Sequence, residues 1–423
     1  MRITSNTIVA DFLSSLSKSR DRINRLNKQL SSGNELLRVS DDPATANTLL
    51  RVKADLSRVA SYQSNVVNGT SVLKLTANSL GEISDTLQNV KDALAGASNA
   101  DTAMLTQVSD QMDSYLALAM DVANTQYDSK YVFGGTATSS APYVRTGMPQ
   151  QVTYQGNAES IKYQVGDGIT SVVNITGAAA FNSTGKIDLT GVLDNSAAVN
   201  TSVTTSVSMT DANGASHAVE LKFQKTDANT WAMSAALPSG ATDATLSGGT
   251  ATLTFDSSTG ALSQIVRGAP LVLTPAATGS RAAAPAMTAM ISADSLTEGI
   301  PSGGSSSVTG THTAVSVFNK LIELRDKLKA GVEPTADDIA MVSMMQDVVQ
   351  REEARAGSLS GNLSSAGSYL TAQNTRLLDL QSAKQDADLT EIGLRLKLEQ
   401  TTLDAALSAA ANIIPKSLLD YLT

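Results

Sequence analysis

Apolar residues near the C-terminal end of the chain recur at the spacing of one helix face. They follow one another at steps of four, seven, four, three and four: Ile392, Leu396, Leu403, Leu407, Ala410 and Ile414. Side chains at these spacings share one side of an α-helix. Asp388 is placed to cap the first turn and Pro415 cannot continue the helix, so the pattern predicts a helix over about 388–414. Such a helix needs a partner to bury its single apolar stripe.

The opening of the chain carries a matching stripe at steps of four, four, seven, three and four, with polar residues between its members. We therefore predict that the two ends of the chain form a coiled coil, with each other, with neighbouring copies, or with both. Because ordering costs about 1–2 kcal/mol per residue, we expect both ends to be poorly ordered in an isolated monomer. The candidate assembly interface is Ile8, Phe12, Leu16, Ile23, Leu26, Leu30, Ile392, Leu396, Leu403, Leu407, Ile414, Leu418 and Leu419.

Between these ends the chain first runs outward through helices. Asp42 and Pro43 predict a helix start, and an approximate heptad from Leu49 to Leu94 predicts one long helix, although Gly69 and Gly81 each cost about 1 kcal/mol there. A second helix is predicted to carry Leu105, Val108, Met112, Leu116, Ala119, Ala123 and Gln126.

The chain returns through helices as well. A helix is predicted from about Ala314, and Thr335 with Asp338 has the spacing of a cap before a span free of proline up to Pro415. Within that span a heptad seam joins Leu359, Leu363, Ala366, Leu370, Leu377 and Leu380.

The composition changes after Gly135, where threonine, serine, glycine, valine and alanine become dominant. Short alternating runs bounded by turn residues predict strands. These runs are 152–154, 161–165, 203–209, 218–223, 230–235, 251–255 and 262–266. The stretch 270–310, rich in proline, alanine, serine and glycine, is predicted to lead back to the helices.

These patterns together predict a multidomain α+β protein. Both termini form an antiparallel helical bundle or coiled coil, and a β-rich insert resembling a sandwich or barrel lies at the tip. We expect terminal helices in 1–42 and 390–423, a helical rod in 43–135 and 311–389, a first β part in 136–198, and a second β part with its return linker in 199–310.

Composition removes several function classes. The net charge is −9 and no basic run occurs, which argues against nucleic acid as a partner. The chain has no cysteine and only 4% aromatic residues, which excludes thiolate chemistry and disfavours aromatic-lined cofactor sites. We find no apolar signal segment at the start and no run long enough to span a membrane.

Several residues are of types that can bind metals or ligands or take part in catalysis, but we prefer a structural role for each of them. His217 and His312 are the only histidines and lie in unrelated contexts. Asp41 and Asp42 fit helix capping better than a metal pair. The glycines of 134–135 and 166–168 lack the spacing of a phosphate loop, and the methionines of 341–345 have core spacing. The sequence therefore indicates no enzyme, no cofactor and no metal site.

Two segments carry a resemblance to a known family. Residues 30–33 (LSSG) and 40–46 (SDDPATA) resemble the N-terminal region shared by flagellins and hook-associated proteins. The end of the chain, 398–407 (LEQTTLDAAL) and 417–422 (SLLDYL), looks more like the hook–filament junction members than like filament flagellin. Residues 210–217 (TDANGASH), with 223–226, 229–231 and 253–256, resemble the outer β domain of the flagellar hook protein.

The resemblance implies a structural axial component of the bacterial flagellum that joins the hook to the filament. Its implied partners are further copies of itself in a ring or tube, the preceding hook-associated protein, flagellin and a flagellar export chaperone, with no nucleic acid and no membrane. It implies an extracellular location reached without a cleavable signal peptide. The alternatives are filament flagellin itself and a secreted β-rich adhesin on a coiled-coil stalk.

Overall fold

The computed structural model describes residues 5–147, 149–212, 214–277, 284–300 and 305–413, with side chains of 5–9 and 410–413 outside the description. It confirms the predicted α+β class, with helices toward both termini and a β-rich centre. The chain divides into a terminal unit (residues 1–64 and 367–423) and a central unit (residues 65–366).

Helices occupy both arms of the chain and one short site in the insert. Over the described residues they are α1 (Ser5–Ser32), α2 (Pro43–Ala97), α3 (Thr102–Ala123), α4 (Gly177–Phe181), α5 (Val317–Lys329), α6 (Ala336–Gln385) and α7 (Leu389–Ile413). Helix α3 ends at Ala123, so the prediction that Gln126 belongs to it was wrong. Gln126 begins a strand, because the helix stops at Asn124 and the chain turns into a hairpin.

The predicted helix caps are confirmed by their hydrogen bonds. Oδ1 of Asp42 accepts the N–H groups of Ala44 and Thr45 at 3.0 and 3.1 Å. A hydrogen bond from the Thr45 side chain is the largest of the effects that lower the pKa of Asp42. At the start of α6, Thr335 Oγ1 accepts the Asp338 N–H at 3.1 Å while Asp338 Oδ2 accepts the Thr335 N–H at 3.0 Å.

In the central unit α2 and α6 run antiparallel. Gln346 Nε2 donates to the Ser84 carbonyl at 3.3 Å, and Lys91 Nζ donates to Gln346 Oε1 at 3.1 Å. Helices α3 and α5 pack beside each other, and the Ser109 hydroxyl donates to the Arg325 carbonyl at 3.2 Å. Apart from Phe318 of α5, the large apolar side chains buried in these four helices are aliphatic or methionine, in keeping with the low aromatic content.

Three short hairpins follow α3 in the central unit. Their strands are β1 (Gln126–Tyr127), β2 (Lys130–Tyr131), β3 (Tyr143–Thr146), β4 (Gln151–Tyr154), β5 (Lys162–Gly166) and β6 (Ile169–Val172). An aromatic cluster anchors the β3–β4 hairpin to α4 and α5, with the rings of Tyr143 and Phe318 4.5 Å apart. Burial raises the pKa of the Tyr154 phenol in this cluster to about 12.

The rest of the insert is a β domain made of two five-stranded sheets. The strands are β7 (Thr184–Asp194), β8 (Ser202–Thr210), β9 (Ser216–Asp227), β10 (Thr230–Ala236), β11 (Ala244–Ser247), β12 (Thr250–Phe255), β13 (Leu262–Arg267), β14 (Leu271–Pro275), β15 (Met287–Gly299) and β16 (Ser307–Val315). The first sheet has the order β13-β12-β10-β9-β8 and the second β11-β14-β15-β7-β16. Only β15 and β7 pair in parallel among these described strands. One hydrophobic core unites both sheets.

All seven predicted strand runs lie within observed strands or overlap them, but the stretch 270–310 is not the linker we predicted. It contains β14, β15 and the start of β16, and β15 lies at the centre of its sheet. The first seven residues of β15 are buried without alternation. A strand covered on both faces shows no period of two, and its alanine, serine and threonine content imitates a linker. Strand β7, which we placed in the first β part, pairs with β15 and β16.

Candidate assembly interface

Helices α1 and α7 of the terminal unit pack against each other as an antiparallel pair. The backbone fixes the turn where they approach: the Glu35 N–H donates to the Gln385 carbonyl and the Ala387 N–H donates to the Gly33 carbonyl, each at 2.9 Å. Gly33 has a φ of +68°, the left-handed conformation that closes a helix C-terminus. Asp388 Oδ1 accepts the N–H of Thr390 at 2.9 Å and of Glu391 at 3.1 Å, which caps α7 as predicted.

The predicted stripe residues differ in how far this helix pair buries them. Ile392 is buried, whereas Leu30 and Leu407 are 40% and 41% exposed. The remaining described members are half-buried: Phe12, Leu16, Ile23, Leu26, Leu396 and Leu403. Ile8 has a helical backbone, and Ile414, Leu418 and Leu419 lie outside the described residues. The pair therefore covers its seam only partly within one chain.

Each stripe has one step of seven, within which a polar residue takes the place on the stripe that an apolar residue would otherwise fill. This residue is Ser19 in α1 and Glu399 in α7. These two residues meet: Ser19 Oγ donates to Glu399 Oε2 at 3.1 Å. Arg22 Nε lies 2.9 Å from Glu399 Oε1. A polar contact inside an apolar seam is satisfied in only one alignment, so it fixes the register of the two helices. Sequence analysis had not identified this contact.

Helix α7 carries a second apolar stripe that our sequence analysis missed. Leu394, Leu398, Ala405 and Ala409 follow at steps of four, seven and four, and all are exposed. Leu394 is 71% exposed and Leu398 67%, the highest values among the large apolar residues described in this helix. At 100° per residue this second stripe lies on the side of α7 opposite Ile392. The steps of four, seven and four between these apolar residues are visible in the sequence and would have identified the second stripe.

Exposed apolar side chains concentrate in the terminal unit. Among the large hydrophobic residues described as exposed, eleven of nineteen belong to this unit, although it is much the shorter one. The eleven are Leu13, Leu30, Val39, Leu50, Tyr369, Leu378, Leu380, Leu389, Leu394, Leu398 and Leu407. The terminal unit is therefore the part of the described structure that exposes the most large apolar side chains for its length.

A groove of about 670 Å³ opens beside the α1–α7 pair. Its charged lining residues comprise four basic and four acidic side chains, among them Arg25 and Asp41. Arg25 Nη2 and Asp41 Oδ2 lie 3.6 Å apart within this set. The formal charges of the lining side chains therefore cancel.

The other candidate residues have structural roles where the structure describes them. His217 is buried between two carboxylates. Gly135 and Gly168 have φ angles of +69° and +71°, as expected of turns. Met341, Met344 and Met345 are buried in the helical core. In the described part of the chain no cluster of metal-ligating side chains is found, and no described helix is apolar enough over its length to cross a membrane.

Two family models match separate parts of the chain. Residues 3–138 match the bacterial flagellin N-terminal helical region, and this range includes α1, α2 and α3. Residues 180–347 match the flagellar basal body protein FlaE D2 domain, which includes the two sheets and continues into α6. The first match lies mainly on the outgoing helices and the second mainly on the β domain, and each describes what that part of the chain is similar to.

The individual relatives name a more specific class. Flagellar hook-associated protein 3 of Escherichia coli (strain K12) is 26% identical over 189 residues, which are 43% of this chain and 57% of the relative. The protein of the same name from Salmonella typhimurium is 26% identical over 191 residues, with the same two shares. The chain therefore spans somewhat more than half the length of these curated relatives.

Two solved structures of proteins named FlgL are also similar to this chain. The Bacillus cereus FlgL structure has a TM-score of 0.42 at 13% identity, covering 78% of this chain and 99% of that one. The flagellar junction protein FlgL from Legionella pneumophila has a TM-score of 0.36 at 15% identity, with coverage of 78% and 99%.

Proposed function

We propose that this protein is a structural component of the bacterial flagellum that assembles with copies of itself and joins the hook to the filament. The observation that carries the proposal is the second apolar stripe on α7, Leu394, Leu398, Ala405 and Ala409, which is exposed while the first stripe faces α1. The name of the curated relatives, flagellar hook-associated protein 3, supports the place in the flagellum.

In this proposal the two stripes of α7 have different roles in assembly. The first stripe and the Ser19–Glu399 contact hold α1 and α7 of one chain in register. The second stripe has the four-seven-four spacing of a coiled-coil seam, so its occupant is a helix, and we assign it to a neighbouring copy. Burying one leucine contributes about 1.5–3 kcal/mol, and repetition around a ring multiplies this contribution.

The remaining partners follow from the proposed position. A junction component contacts the preceding hook-associated protein on one side and flagellin on the other, and a dedicated export chaperone shields its apolar ends before assembly. We place the protein outside the cell, as part of the flagellum. The predicted limits of the terminal, rod and β parts, and the poor order of the ends in an isolated monomer, remain predictions.

The experiment replaces Leu398 by Glu in cells that depend on this protein for motility. A charge at this exposed position leaves the α1–α7 seam intact but blocks burial against another copy, so we expect secretion of the protein without filament attachment. Leu118→Glu is the matched control, because Leu118 is 50% exposed on α3 of the central unit. Normal filaments with Leu398→Glu would contradict the role of the second stripe.

A second variant, Leu403→Glu, places a charge in the half-buried first stripe. We expect it to separate α1 from α7 and to abolish assembly while the β domain stays folded, which far-ultraviolet circular dichroism and proteolysis of the secreted protein would check. Labelling by antibody in electron microscopy separates the two flagellar positions: a ring at the filament base supports the junction, whereas label along the shaft identifies filament flagellin.

A further inference from the structure

His217 in the β domain is enclosed by two carboxylates that come from different parts of the fold. Its Nδ1 lies 2.7 Å from Asp243 Oδ2, and its Nε2 lies 3.2 Å from Asp211 Oδ2. The histidine and Asp211 side chains are 6% and 4% exposed, whereas Asp243 is 47% exposed. The ring is therefore held on both nitrogens in a buried site, with Asp243 as the more exposed of its two partners.

The three residues connect the two sheets. His217 lies near the start of β9 in the first sheet, and Asp211 directly follows β8 of that sheet. Asp243 directly precedes β11, one of the two edge strands of the second sheet, and the Asp243 carbonyl accepts the Ala276 N–H at 2.8 Å. The backbone around Asp211 is fixed as well, because Asp211 Oδ1 accepts the Ala215 N–H at 2.8 Å.

The protonation state of the ring decides whether this arrangement attracts or repels. An imidazolium has an N–H on each nitrogen and donates to both carboxylates. A neutral imidazole has one N–H, so its other nitrogen directs a lone pair at a carboxylate oxygen. The charged groups that face the ring in the described structure are Asp211 and Asp243, and the side-chain hydrogen bond with His217 is the largest cause that lowers the pKa of Asp243.

We propose that His217, Asp211 and Asp243 form a pH-sensitive clasp that joins the two sheets of the β domain when the histidine is protonated. Loss of one proton replaces a hydrogen bond by repulsion between two acceptors in a buried site. The β8–β9 turn and the edge strand β11 then separate more easily. The clasp is independent of the proposed place in the flagellum, because it involves only contacts inside the β domain.

The test uses the full chain and compares wild type with His217→Gln and His312→Gln. His312 is the matched control, since it is the only other histidine and burial lowers its pKa. The primary measurement is the ¹⁵N chemical shift of both imidazole nitrogens across about pH 5.5 to pH 8.5. The second is the unfolding midpoint of the β domain, followed by the fluorescence of Trp231, the single tryptophan.

We expect the His217 ring to carry two protons at the acid end of this range, and the β-domain midpoint to fall by about 3 °C or more toward the alkaline end. His217→Gln should lower the midpoint at acid pH and remove this pH dependence, while His312→Gln keeps it. Three results would each overturn the proposal: a singly protonated ring throughout, including one beside a protonated Asp211; an unchanged pH dependence in His217→Gln; or the same loss in His312→Gln.

Discussion

Ser19 donates a hydrogen bond of 3.1 Å to Glu399, a residue 380 positions later, and the two residues occupy the single long step in each apolar stripe. The contact aligns α1 with α7, because shifting either helix by one turn would place a carboxylate against apolar side chains. It is a specificity contact more than a stabilising one, since the accompanying Arg22 is 58% exposed and an exposed ion pair contributes about 0–1 kcal/mol.

We therefore predict that Glu399→Leu broadens the register of the helix pair, whereas Glu399→Gln, which still accepts from Ser19, keeps it. Since the chain lacks cysteine, spin labels can be attached through Lys18→Cys and Lys397→Cys, two exposed positions. Electron–electron double resonance on assemblies diluted with unlabelled chains should show one narrow distance both in the otherwise unchanged chain and in Glu399→Gln. An equally narrow distance in Glu399→Leu would show that apolar packing alone sets the register.

Two glycines in α2 should respond in opposite ways to alanine. A β-carbon at Gly69 would lie 2.7 Å from Val173 Cγ1 and 3.0 Å from Leu363 Cδ1, both on buried side chains. The close approach should outweigh the gain in helix propensity, so Gly69→Ala is expected to lower the free energy of unfolding by about 1–3 kcal/mol.

Gly81→Ala is the internal control. Its nearest neighbour would be Glu353 Oε1 at 3.5 Å, an ordinary contact, so we expect stabilisation by up to about 1 kcal/mol. Chemical denaturation of both variants checks the pair of predictions. Equal effects from the two substitutions would show that space at Gly69 is not limiting.

A third prediction concerns the ion pair in the β-domain core. Lys225 and Glu298 are each 2% exposed with 3.3 Å between Nζ and Oε1, and Glu298 also accepts the Trp231 indole N–H at 2.9 Å. Lys225→Met leaves the buried carboxylate without its cation and should cost about 3–5 kcal/mol. Adding Glu298→Gln removes the charge but keeps an acceptor for Trp231, so most of the loss should be recovered.

The fluorescence of Trp231 distinguishes the folded from the unfolded β domain, because Trp231 is the single tryptophan of the chain. Denaturant midpoints of the single and double variants form the measurement. If the double variant were no more stable than Lys225→Met, the lysine would stabilise the fold mainly through its 2.6 Å hydrogen bond to the Asn195 carbonyl.

The fourth prediction is an acid-induced loosening of α5 from α6. Asp338 is buried and accepts from Lys320 Nζ at 2.7 Å and from Lys327 Nζ at 3.1 Å. Burial alone would raise the pKa of Asp338, but the hydrogen bonds from Lys320 and Thr335 together with the lysine charge lower it below 3.8. The ionised form is thus favoured in the folded state.

Since the folded pKa is the lower one, this stabilisation is complete above about pH 4 and is lost as the pH falls further through the folded value. Asp338→Asn should cost about 3 kcal/mol near neutral pH and flatten the acid limb of the stability curve. Asp326→Asn is the control, because Asp326 is 52% exposed and its pair with Arg325 should contribute little. An unchanged acid limb in Asp338→Asn would refute the assignment.

Local signals in the sequence predicted much of the helical structure. Side-chain oxygens that cap a helix act within three residues, so Asp42, Asp388 and the Thr335–Asp338 pair were identified from their spacing alone. Alternating strands such as β9 and β10 were also identified from a local pattern. One face of each strand is buried and the other meets water, so apolar and polar residues alternate along it.

The sequence alone determined the helical arms, the alternating strands and an apolar seam at each end, since each depends on periods of 2 or about 3.6 residues that neighbouring side chains set. The tertiary structure decided which stripe of α7 stays exposed, that Ser19 meets Glu399, that β15 is a central strand, and that His217 lies between Asp211 and Asp243. These features join residues far apart in the chain, and burial on both sides removes the periodic pattern from which a local reading starts.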